Sequence, residues 1–98
     1  MSRPGLPSSL HLRVITSKSL ILDAEVADVS LPSLQGELGI LPGHRPLVTA
    51  IGKGSLSYRT EKREGKVAVQ GGIALVLQDR VTVFTELSQD ENEQPAPG

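Results

Sequence analysis

The feature that most constrains this chain is how often its hydrophobic pattern is interrupted. Apolar residues alternate with polar ones in short runs: Leu10, Leu12 and Val14; Ala27, Val29 and Leu31; Leu56 and Tyr58; Val67 and Val69; Val81, Val83 and Thr85. A two-residue period puts one side of each run toward a core and the other toward water, the mark of a half-buried strand. Between the runs lie breaker clusters: Leu31-Pro32-Ser33, Leu41-Pro42-Gly43, Gly52-Lys53-Gly54, Glu61 to Gly65, Gly71-Gly72 and Gln78-Asp79. No core window keeps apolar residues at helical spacing without a Gly, a Pro or a stronger two-residue period, so almost no helix is expected. Short strands with a turn every eight to twelve residues or so predict an all-β fold, an antiparallel β-sandwich. Gly52 and Gly54 are expected to supply positive φ angles in a strand connection.

Two segments break the alternation. Leu20-Ile21-Leu22 and Ile73-Ala74-Leu75-Val76-Leu77 are continuously apolar, which places side chains on both faces of a sheet and implies a second covering surface. For Ile73 to Leu77 that cover is either the chain's own loops or a docked partner, and the pattern leaves both open.

The chain has 98 residues, enough for one small domain. Residues 1–9, rich in Pro and Ser, and 88–98, acidic and Pro-containing, are expected to be flexible, leaving residues 10–87 as the foldable unit. A core of that size buries only roughly 60% of the surface its unfolded chain exposes, which favours a partner that covers more. There is no Cys, which removes disulfides, thiolate metal sites and thiol nucleophiles. Neither a secretory signal nor an apolar run of membrane-helix length is present. A net charge of −1 with scattered basic residues, one Tyr and one Phe offers neither a phosphate-binding face nor a base-stacking platform, so no nucleic-acid partner is expected.

Catalysis needs a nucleophile, a base and an orienting group that converge. The candidates are His11, His44, Glu37, Asp23 and a few hydroxyls. His11 lies between Leu10 and Leu12 and reads as an exposed strand residue. His44 sits with Glu37 in the Gly- and Pro-rich stretch Gly36 to Pro46, GELGILPGHRP, where the two could serve as base and orienter, but no recognisable nucleophile accompanies them. Two histidines on separate elements give too few ligands for a metal, and Gly52-Lys53-Gly54-Ser55 lacks both the leading Gly and the hydroxyl residue of a phosphate loop. No catalytic, cofactor or metal site is assigned. The alternative left open is a stand-alone sandwich with Glu37 and His44 lining a ligand-binding or weakly catalytic pocket.

The stretch GELGILPGHRPLVTAI, Gly36 to Ile51, resembles the epsilon-subunit family of F-type ATP synthases, called delta in mitochondria, in its N-terminal β-sandwich domain. The family pattern is met at Gly36, Glu37, Leu38, Gly39, Ile40, Pro42, Gly43, His44, Pro46, Leu47 and Thr49. Gly71-Gly72-Ile73, Val76 and Val81-Thr82-Val83 match a second block, and Leu12, Val14, Ile15 and Thr16 fit the first strand. The resemblance implies about ten short strands in two five-stranded sheets. It also implies a non-catalytic central-stalk subunit bound to gamma and to the polar loops of the c-ring, which couples ion-driven rotation to ATP synthesis. Such a subunit is peripheral on the cytoplasmic face of the inner (plasma) membrane and reaches the membrane only through the complex. The loop from Pro32 to Gly39, with Ser33, Gln35 and Glu37, is expected to face the ring. Thr16 and His44, together with Ile73 and Val76 on the apolar run, are expected to face gamma. Departures from the family pattern are Arg45, where a small residue is common, Gln78-Asp79 in place of a Pro-Gly turn, and the short tail where family members continue into a helical hairpin.

Overall fold

The computed structural model describes residues 9–87; the expectations for residues 1–8 and 88–98 lie outside the described residues. The described chain is all-β, with β1 (Leu10–Ile15), β2 (Leu20–Val26), β3 (Asp28–Ser33), β4 (Gly36–Ile40), β5 (Leu47–Arg59), β6 (Glu64–Leu77) and β7 (Arg80–Leu87). The strands form one seven-stranded sheet in the order β2-β1-β7-β6-β5-β3-β4. All neighbours are antiparallel except β1 and β7, which run parallel from His11 opposite Arg80 to Ile15 opposite Phe84. Its buried residues form one cluster that draws on every strand: among them are Leu10, Leu12 and Val14 of β1, Val26 of β2, Leu31 of β3 and Ile40 of β4. Leu56 of β5, Val76 of β6 and Val83 of β7 complete the set. No helix covers this face among the described residues, so side chains near both ends of the sheet are buried by the sheet folding over on itself.

Sequence punctuation and structure part company at β5 and β6. These strands are 13 and 14 residues long and pair with each other from Leu47 opposite Val76 to Arg59 opposite Glu64. The breakers Gly52-Lys53-Gly54 and Gly71-Gly72 lie inside them rather than between strands. Seven strands in one mixed sheet therefore stand where ten in two antiparallel sheets were expected, because β5 and β6 run through these glycines without ending their ladder.

At Gly71-Gly72 the ladder carries a change of phase. In β6 the inward residues are Val67 and Val69 before the glycines, and Ala74 and Val76 after them. Odd positions give way to even ones, because the β6–β7 register slips between Val69 and Gly72 by one extra residue on β6. Gly71 and Gly72 hold φ of 78° and 128°, and a Cβ at Gly72 would run into the carbonyl oxygen of Phe84. The carbonyl of Gly71, turned out of the ladder, accepts from the hydroxyl of buried Thr85 at 2.5 Å. Gly52 and Gly54 do not have positive φ, contrary to expectation. They admit close neighbours instead: a Cβ would stand 3.0 Å from Leu34 Cδ2 at Gly52 and 2.9 Å from Pro32 Cβ at Gly54.

Candidate functional site: loops and an outer apolar face

The tight connection between β3 and β4 pairs Ser33 with Gly36 across Leu34-Gln35. Ser33 Oγ donates to the Gly36 carbonyl at 2.6 Å and accepts the Gln35 amide at 3.1 Å, so this hydroxyl is spent on turn geometry. Gln35 and Glu37 are exposed, and Glu37 Oε2 accepts from Ser30 Oγ at 2.6 Å. At the tip stands Leu34, 71% exposed. The sequence signal for it was an apolar residue in the short Ser33-to-Gly36 connection.

After β4 the chain turns through Leu41-Pro42-Gly43-His44. The His44 amide donates to the Leu41 carbonyl at 3.1 Å, and Gly43 holds φ of 88°. With Pro second and a positive φ third, this is a type II turn. The half-buried ring of His44 donates from Nδ1 to the Arg45 carbonyl at 2.7 Å, which holds the ring against the loop backbone. Glu37 and His44 thus have separate partners, Ser30 and the Arg45 carbonyl. Four clefts of about 340 to 540 Å³ are lined by other residues, so the pocket expected for a Glu37–His44 site has no counterpart in them.

Thr16 closes the turn between β1 and β2. Its hydroxyl accepts the amides of Lys18 and Ser19 at 3.1 and 3.2 Å, and its own amide donates to the Ser19 carbonyl at 2.9 Å. It lines a cleft with Ile15, Gly72 and Phe84.

The continuous apolar run of β6 resolves into two faces. Ala74 and Val76 are fully buried, whereas Ile73, Leu75 and Leu77 point outward at 47%, 37% and 48% exposure. Val76 is therefore a core residue, and its expected place on a docking face is corrected: the phase change at Gly71-Gly72 turns even positions inward. The register extends the outer face sideways, because Ile73 lies opposite Phe84 of β7 and Leu75 opposite Val48 of β5. Phe84 and Val48 are also exposed. These five side chains form a contiguous apolar surface across three strands; the sequence pattern offered the run from Ile73 to Leu77 as a docking face but gave no sign of Val48 or Phe84.

A charged strip flanks that surface on β1 and β2. His11 has Glu25 Oε2 at 2.8 Å from Nδ1 and Asp23 Oδ1 against Nε2, with Arg13 4.0 Å from Asp23. The Ser9 hydroxyl, donating at 2.7 Å, is the main influence that holds the Glu25 carboxyl below its ordinary value; partial desolvation opposes it and His11 adds to it. No group of three or more His, Cys, Asp or Glu among the described residues is arranged to hold a metal.

Comparison with known proteins agrees with this architecture. The family described as the ATP synthase delta/epsilon chain β-sandwich domain matches residues 9–88. The ATP synthase epsilon chain of Lawsonia intracellularis is 40% identical over 88 residues, covering 90% of this chain and 66% of that relative. The ATP synthase epsilon chain of Synechococcus elongatus is 43% identical over 81 residues, covering 83% of this chain and 59% of the relative. The chain thus spans somewhat less than two thirds of these curated relatives. Among solved structures, a chain of the Euglena gracilis mitochondrial ATP synthase OSCP/F1/c-ring assembly superposes with a TM-score of 0.79 at 25% identity, covering 87% of this chain and 55% of that one. A chain of the Tetrahymena thermophila mitochondrial ATP synthase central stalk and c-ring has a TM-score of 0.69 at 14% identity, a likeness of fold alone; it covers 91% of this chain and 75% of that one. With the family matched across all the described residues and relatives at 40% identity and above, this chain belongs to the ATP synthase delta/epsilon chain family through its β-sandwich domain.

Proposed function

We propose that this chain acts as a non-catalytic epsilon subunit in the central stalk of an F-type ATP synthase, binding gamma and the c-ring and coupling ion-driven rotation to ATP synthesis. The observation that carries the reading is the family match over residues 9–88. The outer face supports it: Val48, Ile73, Leu75, Leu77 and Phe84 present apolar area of the kind that proteins cover on assembly. Covering it gains roughly 25 cal/mol per Å² removed from water, while the adjacent His11, Arg13, Asp23 and Glu25 supply orientation more than affinity.

In this reading gamma takes the outer apolar face and the neighbourhood of Thr16 and His44. The c-ring loops meet the hairpin that bears Ser33, Gln35 and Glu37, with Leu34 at its tip. The chain makes and breaks no bonds; it fixes the joint between two rotating parts, so that torque is not lost in slippage. It is held on the cytoplasmic face of the plasma membrane through the complex.

The test is copurification from cells that express the whole complex. Ile73→Asp combined with Leu75→Asp is expected to lose gamma, and Glu37→Ala to weaken the ring contact while gamma is retained. Equal retention of gamma and ring by both variants would overturn the division of surfaces.

A further inference from the structure

We propose that Asp79 is a positioning residue for the loop that carries His44 and Arg45: its carboxylate latches that loop to the β6–β7 turn. Gln78 and Asp79 form the two-residue turn between Leu77 and Arg80, with φ of 52° and 63°. This conformation is normally taken by Asn-Gly or Gly-Gly, because L side chains with a Cβ are crowded there. Asp tolerates positive φ better than most L residues but less well than Gly, so its presence at the second position invites the question of what its carboxylate does there.

That carboxylate reaches the neighbouring loop. In the type II turn Leu41 to His44, the closing bond uses the His44 amide, and the Gly43 amide is left without a partner inside the turn. Asp79 Oδ1 accepts that amide at 2.7 Å, a charge-assisted bond across 36 positions of sequence. The same residue's carbonyl accepts the His11 amide at 2.9 Å. Asp79 therefore joins three segments: the start of β1, the β6–β7 turn and the loop before β5. A glycine at this place would relieve the backbone and keep the His11 bond, but would release Gly43.

The consequence is a loop held in shape before it meets a partner, which lowers the ordering cost of binding. This proposal rests on the reading of the His44 loop as facing gamma. The experiment combines NMR hydrogen exchange of the Gly43 amide, thermal melting, and gamma-subunit affinity, measured on the full chain. Asp79→Gly is expected to speed Gly43 exchange at least about fivefold. The melting temperature should stay within about 4 °C, since backbone relief offsets the lost bond. Affinity for gamma should fall at least about threefold, because the loop must then be ordered on binding. Asp79→Asn, which tolerates positive φ and keeps an acceptor oxygen, is expected to restore both exchange and affinity. Unchanged Gly43 exchange in Asp79→Gly overturns the latch, as does failure of Asn to rescue. Faster exchange with undiminished affinity overturns its positioning role. Wild-type gamma binding by Ile73→Asp would instead sink the wider docking reading, a result that leaves the Gly43 measurement untouched.

Discussion

At Gly72 a single hydrogen in place of a side chain decides whether β6 and β7 can lie together. A Cβ there meets the Phe84 carbonyl, which is backbone and cannot swing aside, and φ of 128° is a region that L side chains avoid. Gly72→Ala is expected to destabilise the domain by about 2–4 kcal/mol, read as a lowered denaturant midpoint. Glu25 gives a contrasting residue-scale prediction about pH. Its folded carboxyl lies below its ordinary value, chiefly through the Ser9 hydroxyl. Protons therefore bind the unfolded chain more readily. The stabilisation is fully present above the ordinary carboxylate value and is lost as pH falls through the lower folded one. Because Glu25 is 62% exposed, solvent screening keeps the effect to about 0.5 kcal/mol at most. Ser9→Ala should move the Glu25 titration midpoint upward in a carboxyl NMR titration. No change in that midpoint would mean that the Ser9 bond does not form in solution.

At the scale of the element, β6 shows how one inserted residue assigns side chains to core or surface. The bulge at Gly71-Gly72 lets both halves of a 14-residue strand face the same core, at odd positions first and even positions afterwards. Val76→Asp and Ile73→Asp should then behave differently although both lie on one apolar run. The first places a carboxylate at a fully buried position and should cost roughly 3 kcal/mol or more, enough to unfold much of a marginal domain. The second, on a half-exposed site, should leave the melting temperature within about 3 °C of the parent. Circular dichroism melts of the two variants decide it; equal melting would refute the phase assignment. The same bulge explains what sequence could and could not disclose. Alternation in Leu10 to Val14 and Val81 to Val83 marked the inward residues correctly, because nothing interrupts the period there. In Ile73 to Leu77 every position is apolar, so the period is silent and Val76 could be assigned to either face. Gly52 to Gly54 and Gly71-Gly72 look like chain breaks in one dimension. They lie within continuous ladders, and only the long pairing of β5 with β6 reveals this. The parallel contact of β1 with β7 joins segments some seventy residues apart, beyond the reach of any local pattern. At the candidate site, a specific motif drew attention to Glu37 and His44, and Gln35 entered only as part of the loop from Pro32 to Gly39. Val48 and Phe84 were not legible, because the surface they share with Ile73, Leu75 and Leu77 exists only once three strands are in register.

For the molecule as a whole, the open sheet and the outer apolar face have a joint consequence. The core of one folded-over sheet is small, and among the described residues a five-residue apolar surface faces outward at substantial exposure. A partner that binds only the folded domain must raise the apparent stability by RT ln(1 + [L]/Kd), about 2.7 kcal/mol when the partner stands at a hundred times its Kd. For a domain of this size each kcal/mol is worth roughly 4–8 °C, so saturating gamma should raise the melting temperature by about 10–20 °C. The size of the shift separates docking from general crowding, which stabilises by no more than about 1 kcal/mol. Scanning calorimetry of the labelled chain, alone and with increasing gamma, supplies the measurement. The Ile73→Asp, Leu75→Asp variant is the control: its own melting should be close to that of the parent, because both side chains are already part-exposed, while its shift with gamma should collapse. A full shift in that variant would mean that gamma binds elsewhere on the sheet. No shift in the parent would mean that the apolar face awaits a different neighbour.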